Sequence, residues 1–222
     1  MEDARSIAID GPAASGKTSV GTLLARRLGY RFLDTGTMYR AVTLAAVKRG
    51  IDLQDEVALS ALALVLEMQV VFRESGDRLL VDATDVTDGL RGPEIDRGVS
   101  LVARVSDVRT AMVRQQQAIA LDGPIVMVGR DIGTVVLPAA RVKVFLSASV
   151  EVRAQRRYKE LHDLGQPPDY DRLVDDITRR DKIDSERSDS PMKPDDDALV
   201  IETDTLGVDQ VAKRIMSLVE SR

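Results

Sequence analysis

The chain contains no cysteine, so disulfides, thiolate zinc sites and cysteine nucleophiles are excluded together. It contains no asparagine either, which removes N-glycosylation and every motif built on that residue. A single histidine, His162, lies in a charged helical stretch and reads as an exposed helix residue rather than an acid–base group. No apolar run approaches the roughly 18 residues needed to span a bilayer. The opening MEDARSIAID begins with acids and has no cation-flanked apolar core, unlike a signal peptide. The net charge of −5 argues against a surface for polyanions, which bind basic patches by displacing counterions. The expectation is a cytoplasmic monomer that contacts neither membrane nor nucleic acid polymer.

What is present is a globular composition, with 44% hydrophobic and 30% charged residues in a chain of 222. That lies outside the disordered class. At about 150 residues per domain, the length suits one domain carrying a smaller insert. Burial of roughly 70% of the unfolded surface needs no staple at this size. The cations are 24 Arg against 7 Lys. Arg offers a planar fork of donors suited to phosphate oxygens, although codon usage produces the same imbalance.

Short apolar runs alternate with helical periodicity. Ser6 to Ile9 reads as a buried strand running into Asp10-Gly11-Pro12. Val20, Leu23, Leu24 and Leu28 fall at helical spacing, and Gly29 closes that helix. Further strands are expected at 31–33, 125–128, 142–146 and 199–201, with helices at 38–50, 55–67, 95–105, 107–121, 150–164, 170–183 and 208–219. Asp107 stands where an N-cap belongs. Strands alternating with helices predict a parallel sheet covered on both faces. The exception is the pair of runs 68–72 and 79–81 around Glu74-Ser75-Gly76-Asp77, a hairpin signature that reads as an insert. Gln115 to Gln117 and Asp195 to Asp197 read as solvated faces.

One motif carries chemistry. GPAASGKT, Gly11 to Thr18, fits G-x-x-x-x-G-K-[ST] between a predicted strand and a predicted helix. With this composition the match is roughly a 0.4% accident. Glycines let backbone N–H groups wrap a phosphate, and the following helix adds the positive end of its dipole. Lys17 suits the β- and γ-phosphates of a nucleoside triphosphate, and the Thr18 hydroxyl suits Mg²⁺. Without asparagine, neither the guanine-reading motif of switch GTPases nor the protein-kinase metal site can be built. A small-molecule kinase remains, one that must also hold and neutralise a second substrate.

Three more blocks accompany the loop: LDTGTMYRA at 33–41, GRDIGTVV at 129–136 and RRDKIDSER at 179–187. Together the four resemble the bacterial cytidylate kinase family, in its order and at its spacing over essentially the whole chain. The resemblance implies an α/β three-layer P-loop kinase fold with a parallel sheet. It implies one domain over 1–222, with a monophosphate-binding insert at about 68–101 and a lid at about 157–171. It further implies ATP and CMP or dCMP as substrates, with Mg²⁺.

Residue by residue, the ATP contacts would be Gly11, Pro12, Ala13, Ala14, Ser15, Gly16, Lys17, Thr18 and Ser19, with Arg153 and Arg157 opening the lid. Arg153 and Arg157 are one helical turn apart and share a face. Arg40, Arg130, Arg180 and Arg187 match the arginines that neutralise the acceptor phosphate and the transferring group. Lys17, Arg130, Arg180 and Arg187 would carry catalysis. Ser100, Arg109 and Asp131 match the positions that read cytosine, since a carboxylate accepts from the exocyclic amine while Arg and Ser donate. Thr35 and Asp184 match the sugar contacts. Taken singly, each arginine is as readily a surface residue in a weak ion pair.

The chain departs from the family pattern at Val128, where an acid usually precedes GRD, and at Ala139, where an acid is common. The usual carboxylate support for Mg²⁺ is therefore missing. Asp34, ending a predicted strand in LDTG, is the expected substitute beside Thr18, and Asp10 the alternative. A kinase for UMP, AMP or shikimate is the other reading among enzymes. An ATP-binding regulatory protein is the reading from another class, but it would have no need for the acceptor arginines.

Overall fold

The computed structural model describes residues 3–73, 76–165 and 168–221. In chain order the elements are β1 (Asp3–Asp10), α1 (Lys17–Leu28), β2 (Arg31–Asp34), α2 (Thr35–Lys48), α3 (Glu56–Val65), β3 (Met68–Val71), β4 (Arg78–Val81) and β5 (Thr84–Asp85). They continue with α4 (Pro93–Ala103), α5 (Ser106–Leu121), β6 (Ile125–Gly129), β7 (Ala140–Ser147), α6 (Val150–Asp163), α7 (Tyr170–Glu186), β8 (Leu199–Glu202) and α8 (Val208–Ser221). The chain divides into two compact units, Met1–Leu33 with Pro124–Arg222, and Asp34–Gly123.

The first unit is built on a five-stranded sheet in the order β2-β6-β1-β7-β8. The β1–β6, β1–β7 and β7–β8 pairs are parallel. All five residues of β6 are buried, which requires cover on both faces and explains its unbroken apolar run. The core joins Ile7, Ile9, Val126, Val128, Val142, Val144 and Leu146 of the sheet to Val20 and Leu24 of α1 and Val211, Ala212 and Ile215 of α8. Gly29 ends α1 in the left-handed conformation (φ 66°), its N–H bonded to Ala25 O. An L-residue would be strained there.

Val128 faces α1. A Cβ placed on Gly21 would lie 2.7 Å from Val128 Cγ1 and 2.7 Å from Phe32 Cε2. Helix and sheet meet here without space for a side chain, and a carboxylate at 128 would be desolvated among apolar groups. The valine is a packing residue of the α1 seam.

The second unit packs α2 on α4 and α3 on α5 and carries a three-stranded antiparallel sheet, β3-β4-β5. The expected hairpin is β3–β4, with Val70 opposite Leu79; Glu74 and Ser75 of its turn lie outside the described residues. This unit is wider than the 68–101 segment that the family resemblance implies as an insert, since it also takes in α2, α3 and α5. Asp55 caps α3, its carboxylate accepting from Ala58 N at 3.0 Å. Two local expectations change. Helix α5 begins at Ser106 after Val105, which leaves Asp107 inside the first turn rather than at the cap. The glutamine run is solvated only at Gln117: Gln116 is buried, and Gln115 bridges Leu66 O and Met68 N at 3.0 Å each. Among the described residues no helix is long and apolar enough to cross a membrane.

Because the α1–β6 seam has no room at Gly21, Gly21→Val should destabilise the protein by about 1–3 kcal/mol, the usual cost of overpacking. Urea unfolding followed by circular dichroism measures this, and an unchanged midpoint would contradict the packing described.

Candidate active site

The 11–18 loop leaves the carboxyl end of β1 and enters α1. Its backbone is unusual at three points: Gly11 (φ 141°), Ala14 (φ 59°) and Gly16 (φ 95°). Gly11 is fixed by proximity, since a Cβ there would sit 2.2 Å from the Leu146 carbonyl oxygen. Helix α1 starts with no acid in its first turn and no side-chain cap at Gly16. Its positive end thus meets no carboxylate from its own first turn, which suits an anion. Lys17 is buried and folds back, donating from Nζ to Pro12 O at 2.6 Å and Ser15 Oγ at 3.4 Å. Thr18 and Ser19 are exposed.

Two side chains from other segments hold the loop. Arg153 Nη1 donates to Ala13 O at 3.3 Å and Nε to Ala148 O at 3.0 Å, while Nη2 pairs with Asp181 Oδ2 at 2.6 Å. Arg153 is 3% exposed, so it ties the loop to α6 and α7 from within. Thr203 Oγ1 lies 3.2 Å from Ser15 O, and Arg156 in turn donates to Thr203 Oγ1 at 3.0 Å. Arg157, one turn along α6, pairs with Glu160 at 2.8 Å. Of the 157–171 segment, Gln166 and Pro167 lie outside the described residues.

Asp10 links this loop to the GRDIGTVV block. Its Oδ1 accepts from Ile132 N at 2.7 Å and its Oδ2 from Gly133 N at 2.8 Å. That block forms a wide turn over Ile132–Val136, with Val136 N bonded to Asp131 O and Leu137 N to Ile132 O. Such π-type turns displace side chains from regular helical positions and recur at functional sites. Burial raises the Asp10 carboxyl to about 6 from the ordinary 3.8; the Gly133 and Ile132 amides lower it, the Asp131 charge raises it and Lys17 lowers it.

The turn and the end of α7 are joined by two ion pairs. Arg130 Nε meets Asp184 Oδ2 at 2.9 Å, and Arg187 Nη2 meets Asp131 Oδ1 at 3.3 Å. Asp184, Asp131 and Arg187 are buried, and Arg130 is partly so. Arg187 Nε also donates to Ser190 O at 2.7 Å. Arg180, partly buried, lies on the same helix as Asp184. Sequence reasoning named all five residues without foreseeing that four of them pair, Arg130 with Asp184 and Arg187 with Asp131.

The second unit holds its own candidates. Asp34 caps α2, its Oδ1 accepting from Gly36 N at 3.0 Å, and Thr35 is buried beside it. Arg40 Nη1 pairs with Asp96 at 2.5 Å and donates to Leu90 O at 3.2 Å. Ser100 on α4 and Arg109 on α5 are buried, against the exposure common for such residues in helices. Arg109 donates to Ala103 O at 3.4 Å and lies 5.7 Å from the Tyr39 ring centroid, a cation–π arrangement. Asp96, Asp181 and Thr203 escaped the sequence reading because their partners Arg40, Arg153 and Ser15 lie 56, 28 and 188 residues away in the chain.

A parallel sheet whose first strand feeds a glycine loop into a helix, with Lys17 at its start, Arg130 on the turn after β6 and the buried Arg187 paired to that turn, defines a P-loop kinase. The solved shikimate kinase from Bacteroides thetaiotaomicron has this fold, with a TM-score of 0.51 at 14% identity over 97% of this chain and 98% of that one. The family model described as cytidylate kinase matches residues 7–221. Cytidylate kinase of Bacillus pumilus is 49% identical over 97% of this chain and 96% of its own. That of Bacillus subtilis is 46% identical over 100% and 99%. The chain belongs to the cytidylate kinase family.

The Asp10 carboxyl supplies a pH test. With a folded-state value of about 6 against 3.8, the native protein binds a proton that the unfolded chain has released between these values. The contribution of Asp10 to stability therefore falls as pH rises across this window, by about 3 kcal/mol. Asp10→Asn lacks that dependence. The stability of the parent relative to the variant, from urea unfolding at pH about 4 and about 7, should fall by that order, and a constant difference would exclude it.

Proposed function

We propose that the protein transfers the γ-phosphoryl group of ATP to CMP or dCMP, giving ADP and CDP or dCDP. The observation that carries this reading is the pair of ion bridges Arg130–Asp184 and Arg187–Asp131, on a turn tied by Asp10 to the base of the phosphate loop. An acceptor phosphate brings a dianion against ATP, and fixed cations must lie where that charge moves. Full-length identity of 46–49% to proteins named cytidylate kinase supports the choice of acceptor.

In this reading the phosphates of ATP lie in Gly11–Ser19, with Lys17 exchanging its bonds to Pro12 O and Ser15 Oγ for phosphate oxygens. Arg153 secures the loop and Arg157 faces the donor from the lid, 157–171. Arg40, Arg130, Arg180 and Arg187 neutralise the acceptor phosphate and the transferring group. Ser100, Arg109 and Asp131 read cytosine, and Thr35 and Asp184 hold the sugar. An acceptor phosphate oxygen forms the new bond to the γ-phosphorus as the bond to the β-bridging oxygen breaks, and ADP leaves. No general base is required, because the acceptor oxygen is already ionised.

The donor set fits Mg²⁺, a hard cation that takes oxygen ligands. The Thr18 hydroxyl would bind it and the Asp34 carboxylate would orient its water. Among the described residues there is no group of three or more His, Cys, Asp or Glu that could hold a metal ion. When bound, it neutralises charge on the donor phosphates. The protein is assigned to the cytoplasm and to pyrimidine nucleotide metabolism, acting on small molecules as a monomer.

A coupled assay with ATP, Mg²⁺ and CMP, dCMP, UMP, AMP or shikimate tests the acceptor. CMP and dCMP should exceed UMP and AMP at least about tenfold in kcat/KM, because a buried donor–acceptor set left unmatched costs more than about 1.4 kcal/mol. Equal use of AMP would defeat the assignment. For the metal, Asp34→Ala should raise the Mg²⁺ needed for half-maximal rate and lower kcat about tenfold or more. Changes within twofold would remove Asp34 from that role.

A further inference from the structure

Lys143 lies on β7 and is 7% exposed, yet no sequence signal marked it. Its ammonium pairs with Asp197 Oδ1 at 3.0 Å and Asp195 Oδ1 at 3.3 Å. The aspartate run at 195–197 is therefore not simply a solvated face: two of its members hold a buried cation. Burial alone would lower the Lys143 pKa, but the hydrogen bonds it donates to Asp197 and Asp195 outweigh that and raise the value. The amine stays charged throughout the working pH range. On its other side, the lysine stem packs on the 129–137 turn. A Cβ on Gly133 would meet Lys143 Cδ at 3.3 Å and Cγ at 3.4 Å.

Lys143 thus touches both segments that carry the acceptor-side pairs. The turn bears Arg130 and Asp131. The chain from α7 to β8 bears Asp184 and Arg187 before reaching Asp195 and Asp197. Connections that cross between these segments include Arg130–Asp184, Asp131–Arg187, and Lys143 with its two aspartates. The first two consist of groups that must exchange partners when a nucleotide monophosphate arrives. The third is formed wholly by residues outside the substrate set.

We propose that Lys143 is a positioning residue for the acceptor site, a fixed staple that keeps the 129–137 turn and the 184–197 segment in register while the Arg130–Asp184 and Arg187–Asp131 pairs open to bind substrate. The physical need is clear. An arginine released from its carboxylate must still point at the acceptor phosphate, and misplacement by about 1 Å can cost 10²-fold. A methionine at 143 would keep the apolar stem over Gly133 but release both aspartates. The inference rests on the acceptor-side reading above, which is checked first in the unmodified enzyme. If the parent does not use CMP, that reading fails, and the same measurements are made with whichever acceptor it does use.

The test is steady-state kinetics of Lys143→Met, Lys143→Arg, and the double variant Asp195→Asn/Asp197→Asn, alone and combined with Lys143→Met. Lys143→Met should raise KM for CMP about tenfold and leave KM for ATP within about twofold. Lys143→Arg, which keeps the charge, should recover most of the loss. The combined variant should be no worse than Lys143→Met, because one interaction can be removed only once. An equal rise in both KM values, no change in either, or fully additive losses would overturn the proposal. Should Lys143→Met fail to fold, the Asp195→Asn/Asp197→Asn variant carries the same KM comparison with the lysine retained.

Discussion

Buried positive charge needs a negative partner within reach, and the first unit is arranged around that constraint. Arg153 is held by Asp181, Arg187 by Asp131 and Lys143 by Asp195 with Asp197, while Arg130 leans on Asp184. Taking such ions from water costs several kcal/mol each, and removing one partner leaves the other stranded. A protein that must present several cations to phosphate meets this difficulty before its substrate arrives. Here it is met by carboxylates that share the site.

The consequence for binding is an exchange rather than a simple addition. Phosphate entering between Arg130 and Arg187 would compete with carboxylates already desolvated, so part of the electrostatic gain is spent separating existing pairs. What the arrangement provides in return is preorganisation, since the guanidinium planes are oriented beforehand. The phosphate loop follows the same logic in miniature. Lys17 rests on Pro12 O and Ser15 Oγ, neutral acceptors that release it more cheaply than a carboxylate would.

Backbone geometry supplies the other half of the site. Gly11 runs so close to the Leu146 carbonyl that no side chain fits, and Asp10 immediately before it binds two successive amides of the turn after β6. One strand end therefore sets both the 11–18 loop and the turn that bears Arg130 and Asp131. Val128 shows the opposite pressure. At that position the demand is for a close α1–β6 seam, and an apolar residue satisfies it.

The sequence by itself determined the elements, the phosphate loop and the class of chemistry, because these depend on local patterns. The period of apolar residues specifies strand or helix, and a glycine loop before Lys17 is legible from eight consecutive letters. The family blocks carried the arginines and carboxylates of the site, but only as a set of names. Tertiary structure decided which of them pair, that Arg153 lies beneath the loop at Ala13, that Ser100 and Arg109 are buried, and that the second unit takes in α2, α3 and α5. It also turned an aspartate run into the partner of Lys143, and Gln115 and Gln116 of a glutamine run into bridging and buried side chains. The physical reason is that ion pairing and desolvation are set by distances through space. Lys143 and Asp197 are 54 positions apart in a chain whose periodicity reports only the nearest turn.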